Sequence, residues 1–280
     1  MKWQRGYQSS NVEDRRGSGG GRLPGGRLGL GGIVILLILS IVFKRDFLSL
    51  AGGFADDPTQ VTAGADPVSS PAEDSTKQFI SFVLDDAQQT WATIFAGSDA
   101  QYTDARLILF RDGVQSACGF AQSATGPFYC PGDSQVYIDL GFYDELRDRF
   151  GAPGDFAQAY VLAHEIGHHV QRLIGTEAEI RRAQQRDPSR ANAYSVALEL
   201  QADCYAGIWA SSAQSRGLLE GGDIEEGLAA AAAVGDDRIQ RMGGGYVNPD
   251  AFTHGSAAQR TAWFKRGFES GNPTRCVMGN

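Results

Sequence analysis

Residues 159–171 read Ala-Tyr-Val-Leu-Ala-His-Glu-Ile-Gly-His-His-Val-Gln, and His164-Glu165-Ile166-Gly167-His168 within them is an H-E-x-x-H pattern. On a helix, residues four apart stand one turn above each other on the same face, so His164 and His168 can aim two imidazoles at one cation. Glu165 is turned about 100° from His164, where it can act as a base without ligating. On a helix this pattern signals a zinc site, in which the metal brings the pKa of water down to about 7. The rival is a chance match, but the chain holds four histidines and three fall in this segment.

Local signals predict the helix. Asp155, after Gly154, is an N-cap candidate whose carboxylate can accept from the first-turn N–H groups. Phe156, Tyr160, Ala163, Gly167, Val170 and Ile174 recur at spacings of three and four, as a buried face requires. Gly175 closes the segment. Gly167 costs roughly 1 kcal/mol against alanine inside a helix, which is tolerable where another element must approach closely.

Two histidines and a base need a third ligand. Residues 191–212 are helical in pattern and contain Glu199-Leu-Gln-Ala-Asp203 among apolar neighbours. Acids four apart facing a core are costly unless a cation or donors compensate. With two histidines needing one more ligand, Glu199 is the candidate, and Asp203 the candidate acceptor for the free N–H of a ligand histidine, against the bland reading of two solvated surface carboxylates. Glu177 and Glu179 are rivals in a turn and a charged helix (177–186). A third histidine six residues beyond His168 is absent, because residue 174 is Ile. His169 lies about 100° from His168 on the wheel and is expected beside the site or on the surface. His254, in Thr253-His-Gly-Ser256, is the histidine outside this helix. It is a candidate donor to a developing oxyanion or a metal neighbour, against the bland reading of a histidine preceding a helix.

The first 43 residues hold six basic and two acidic side chains; of 25 basic and 33 acidic residues in all, the rest leave a net of −12. A body that acidic does not suit a polyanion, so nucleic acid is excluded as a partner. Residues 17–32 contain nine glycines and one proline, and residues 1–27 read as a basic, Gly-rich tail. Residues 28–43 carry no charge, and with Phe47-Leu48 and snorkelling Lys44 and Arg45 the segment 28–48 approaches the ~20 residues of a spanning helix. The expectation is a signal anchor with the tail in the cytosol and the C-terminal body outside, a cleaved signal being the alternative. Residues 49–74 read as a Pro/Gly/Ser/Asp-rich linker, and 75–280 as the globular domain.

Within that domain, Lys77–Ala96 has a helical stripe of apolar residues, Ala105–Phe110 and Gln135–Leu140 alternate as strands, and Phe142–Phe150 is helical. Val136–Leu140 is a candidate edge strand that would hold a substrate extended beside the metal, an ordinary interior strand being its rival. Four cysteines without C-x-x-C spacing point to two disulfides, of which Cys118–Cys130 and Cys204–Cys276 are one of three pairings. An alanine-rich helix (224–234), a Gly243-Gly-Gly245 break and a helix after His254 complete the chain.

Together Gly126-Pro-Phe-Tyr-Cys-Pro131, Val136–Leu140, Gly154–Tyr160, His164–Gln171, Glu199–Gly207 and Thr253–Ser256 resemble the YpfJ-type family of bacterial neutral zinc metallopeptidases, from about Lys77 to the C-terminus. The resemblance implies Zn²⁺ on His164, His168 and Glu199, with Glu165 as base. More distantly, Glu199–Asp203 and Thr253-His254-Gly255 with Arg260 look like motifs of the HtpX and CAAX prenyl protease type. Those enzymes have proline where Gly255 stands, and their histidine lies near the metal. The role of Arg260 is left open.

The expectation is therefore an α+β, mostly helical zincin-like domain with a small sheet, preceded by a single transmembrane helix. It would be a zinc endopeptidase acting on polypeptide, anchored in a bacterial inner membrane and facing the periplasm. The alternatives are a metal-stabilised scaffold or chaperone, and a hydrolase of a non-peptide cell-wall amide. Oligomeric state is not legible.

Overall fold

The helix carrying His164 and His168 forms where the periodicity predicts it, and the other elements pack around it. The computed structural model describes residues 1–17, 70–98, 100–122 and 125–277. In chain order the main elements are β1 (Val12–Asp14), α1 (Pro71–Phe95), β2 (Arg106–Phe110), β3 (Gly113–Ser116), β4 (Gly119–Gln122), β5 (Phe128–Cys130), β6 (Gln135–Asp139), α2 (Gly141–Asp148), α3 (Asp155–Leu173), α4 (Thr176–Arg186), α5 (Ala191–Ser215), α6 (Asp223–Ala233), α7 (Asp236–Met242) and α8 (Ala257–Ser270). The class is α+β and mostly helical, as expected.

The sheet has the order β1-β2-β6-β5, with β1, β2 and β6 parallel and β5 antiparallel to β6; β3 and β4 form a separate hairpin. Side chains alternate between its faces. Leu107, Leu109, Val136 and Ile138 join the helical core, while Ile108, Phe110 and Tyr137 pack with Val114 of the hairpin. Val136–Leu140 therefore begins as an interior strand rather than the edge, and β5 is the edge next to α3.

The start of α3 corrects one reading. Its N-cap is Gly154 at φ +115°, and Asp155 makes no capping hydrogen bond. Instead Glu226 of α6 accepts from the Phe156 N–H at 3.1 Å. A Cβ on Gly154 would lie 2.0 Å from that carboxylate. Phe156 then stacks on Trp209 of α5 (centroids 5.6 Å, planes 11° apart), and Tyr160 meets Phe264 of α8 edge to face at 5.5 Å. Such pairs add about 0.5–1.5 kcal/mol each beyond area burial. Gly167 has the close neighbour its position calls for: its Cβ would lie 2.9 Å from the Ala202 carbonyl of α5.

Helices α5 and α8 cross more tightly still. A Cβ on Gly267 would sit 1.9 Å from the Cys204 carbonyl oxygen, and one on Gly207 would sit 2.1 Å from that of Phe264. Since the obstacle is backbone, Gly267→Ala must push the helices apart. The expected loss is at least about 1–3 kcal/mol, as for other overpacking changes, read from denaturant unfolding. An unchanged midpoint would mean that this crossing carries no packing constraint.

The single-pass anchor is not supported, and the expected topology needs correcting. Segment 28–48 lies outside the described residues, and no helix among the described residues is long and apolar enough to cross a membrane. Residues 1–17, expected as a tail on the opposite side, are part of the same fold. Val12–Asp14 pairs with Leu107–Leu109, Trp3 packs on Phe79, and Ser9 donates to Asp85 at 2.7 Å. One crossing between residues 17 and 70 would put β1 and the other three strands of one sheet on opposite sides of a bilayer. The inner-membrane, periplasm-facing placement and the membrane partner, which rested on that anchor, are likewise not supported. The physical reason is that parallel pairing to a strand nearly a hundred residues away leaves no local sign in a polar, basic stretch.

Both disulfides form in the pairing Cys118–Cys130 and Cys204–Cys276. The first joins the β3–β4 turn to the end of edge strand β5, and the second ties the C-terminal segment to α5.

Candidate metal centre and active site

One face of α3 carries His164 and His168 with ring centroids 4.8 Å apart and planes perpendicular. Glu199 comes from α5, which the Gly167–Ala202 contact brings close. His164 Nε2 is 3.2 Å from Glu199 Oε2, and His168 Nε2 is 3.5 Å from Oε1. Among the described residues, one ligand atom from each of the three lies within 4.8 Å of the others. Glu177 instead pairs with Arg181, and Glu179 is exposed on α4; neither joins the group.

Outer partners fix which nitrogen faces inward. His164 Nδ1 is 2.8 Å from Asp203 Oδ1, and His168 Nδ1 is 2.8 Å from Gln171 Oε1. Gln171 spends its amide N–H groups on Leu198 O (2.7 Å) and Gln201 Oε1 (3.0 Å), so its oxygen is the atom facing His168. A carboxylate and an amide oxygen only accept, so both Nδ1 atoms donate and both Nε2 lone pairs point toward Glu199. Acceptors facing acceptors repel unless a cation or a proton lies between them. Two imidazoles and one carboxylate form a donor set that suits zinc.

Burial lowers the His164 pKa, but Asp203 and Glu199 outweigh it and raise it to about 9. His168 is raised against the same burial by Glu199. Burial raises the Glu199 carboxyl, and His168 and His164 hold it well below the ordinary carboxylate value.

Behind His164 lies a closed polar network. Asp203 is fully buried and accepts from Arg260 Nε (2.8 Å) and Nη2 (2.9 Å) of α8 and from the Tyr160 hydroxyl. Arg260 Nη1 donates to Val234 O at 3.2 Å. Arg260 thus has a place that sequence left open: it compensates the carboxylate that orients His164.

Glu165 is nearly buried, and its side chain lines the same cleft as the three donor groups. The cleft, about 840 Å³, is also walled by Phe128 and Tyr129 of β5, by Phe142 and Phe150, and by Leu198. His254 lines it too, half exposed, on the loop before α8. Gly255 stands at φ +92°, which proline cannot reach. His169 is not at the surface. It is fully buried, with Nε2 donating to Thr103 O (2.6 Å) and Nδ1 accepting from the Tyr129 hydroxyl (2.9 Å), and so holds β5 against α3.

Sequence reasoning missed Tyr160 and Gln171. Gln171 carried a readable signal, an amide three residues beyond His168 on a buried helix. Tyr160 sits one turn before His164, where it was assigned only to the core.

A family model described as "Putative neutral zinc metallopeptidase" matches residues 1–278. The chain is 47% identical over 285 residues to "Uncharacterized protein YpfJ" of Escherichia coli strain K12, covering 99% of this chain and 98% of that one. It is 47% identical over 197 residues to "Uncharacterized protein Rv2575" of Mycobacterium tuberculosis strain H37Rv, covering 66% of this chain and 64% of that one. No solved structure matches.

Proposed function

The chain belongs to the neutral zinc metallopeptidase family, and from that premise we propose that it is an endopeptidase whose zinc is held by His164, His168 and Glu199. The observation that carries this reading is the convergence of two Nε2 lone pairs on one carboxylate, at 3.2 and 3.5 Å. Zinc is the cofactor the family uses, and it supplies a Lewis acid that polarises a carbonyl and acidifies water.

The chain's own residues do the rest. Glu165 takes the proton of the attacking water and returns it to the leaving amine. Asp203 and Gln171 hold the two rings with Nε2 inward. His254 donates to the oxyanion that develops on the carbonyl. A polypeptide lies extended along the free side of β5, where main-chain hydrogen bonds give affinity without demanding a sequence. The aromatic wall of the cleft favours apolar side chains.

The test of the ligand set is zinc content of the full chain, wild type against Glu199→Ala. Near-stoichiometric zinc is expected in the wild type. In the variant, affinity should fall by more than the roughly 10–100-fold that loss of an outer partner costs. Equal zinc in both removes Glu199 from the site, and no zinc in either removes the peptidase reading.

A further inference from the structure

We infer that Asp236 is a positioning residue that holds the His254 ring in the tautomer with the proton on Nδ1 and with Nε2 toward the cleft. This rests on the peptidase reading for its consequence, but on geometry for its existence. Asp236, the first residue of α7, is nearly buried. Its Oδ2 accepts from three consecutive backbone N–H groups, those of Thr253 (2.7 Å), His254 (2.7 Å) and Gly255 (3.0 Å). Its own N–H donates to Gly255 O at 2.9 Å. The loop is also seated on the helix that bears Glu199, since a Cβ on Gly255 would lie 3.3 Å from both Val196 and Leu200. The backbone of His254 is therefore held from both sides.

The remaining oxygen sets the ring. Asp236 Oδ1 is 3.2 Å and Thr253 Oγ1 is 3.0 Å from His254 Nδ1. A hydroxyl can donate or accept, but a carboxylate oxygen only accepts. A lone pair on Nδ1 would face it unfavourably, so Nδ1 carries the proton and both oxygens accept it. Nε2 is then the atom left for the substrate. When it too is protonated, the charged ring is a donor about twice as strong as a neutral one, and Asp236 balances its charge.

The three backbone donors make Asp236→Asn informative. They select oxygen at the Oδ2 position, so the amide must turn its NH₂ toward His254. Nδ1 then becomes an acceptor, the proton moves to Nε2, and the doubly protonated ring is opposed by an N–H. The experiment reads the tautomer from ¹⁵N chemical shifts of His254 at alkaline pH, without substrate, in the full chain. His254→Ala assigns the signal. Nδ1–H in the wild type and Nε2–H in Asp236→Asn are expected; Nε2–H in the wild type, or no change in the variant, overturns the proposal.

On the zinc-loaded enzyme, kcat for an unfolded polypeptide should fall about tenfold in Asp236→Asn with KM little changed, and about 10²–10³-fold in His254→Ala. The double variant should be no worse than His254→Ala, whereas multiplying losses would show that Asp236 acts elsewhere. The expected tautomer pair in a wild type that cleaves no polypeptide would overturn the peptidase reading while supporting the orientation.

Discussion

Glu165→Gln lowers kcat for polypeptide hydrolysis by about 10²–10⁴-fold, the usual contribution of a general base, and leaves zinc content and fold unchanged. The separation follows from where the groups sit. The three convergent donors are His164, His168 and Glu199, and Glu165 is not one of them. Glutamine is nearly isosteric and neutral, so it fills the same nearly buried space while having no proton-accepting carboxylate. The measurement is hydrolysis of a panel of unfolded proteins and peptidoglycan fragments, with zinc quantified on the same samples. Retention of activity within tenfold would remove Glu165 as the base. Loss of zinc together with activity would make it a ligand, against the geometry. Two other outcomes return the earlier alternatives: cleavage of peptidoglycan fragments alone favours the cell-wall amide, and binding without cleavage by either form favours the scaffold.

How much of this site was legible depended on whether the chemistry repeats along one helix. His164, Glu165 and His168 declare themselves because a turn of helix brings them to one place and few other roles need that pattern. Glu199 and Asp203 were readable only through the two histidines upstream that call for a further ligand, since their spacing and apolar neighbours alone also suit solvated surface acids. Arg260 was visible only as a matching position, because its reason is a carboxylate 57 residues away. Asp236 gave no signal of its own, since nothing in Gly235-Asp-Asp reports that three N–H groups of another loop converge on it. The sheet failed in the same way. Its longer strands alternate clearly, whereas β5 is three residues inside a Gly- and Pro-rich loop and β1 is three residues of a polar segment. A short strand gains its stability from partners far away in sequence, so the edge beside α3 is β5, one strand earlier in the chain than the candidate edge, whose interior alternative holds.

The network behind His164 supplies the other large effect. Asp203→Ala should destabilise the zinc-free protein by about 3–5 kcal/mol, because it leaves the buried Arg260 guanidinium without its carboxylate. It should also weaken zinc by roughly 10–100-fold through the lost orientation of His164. One substitution confounds the two losses, and a second separates them. Asp203→Leu with Arg260→Met removes both charges, and apolar replacement of a buried pair is often neutral for stability. Most of the unfolding free energy should return in the double variant while zinc affinity stays low, since His164 Nδ1 still lacks its acceptor. Stability must be read with a chelator present, because bound zinc would itself raise it. The pH dependence has a definite sign. Burial pushes the Asp203 carboxyl up, but Arg260 and His164 outweigh it and hold its pKa below the ordinary value. The pair's contribution is therefore full above the ordinary carboxylate pKa and is lost only as pH falls through the lower, folded one. A single variant that loses less than about 1 kcal/mol would mean that water reaches Arg260. A double variant that regains zinc affinity would mean that Asp203 serves the fold alone and that His164 needs no partner to face the metal.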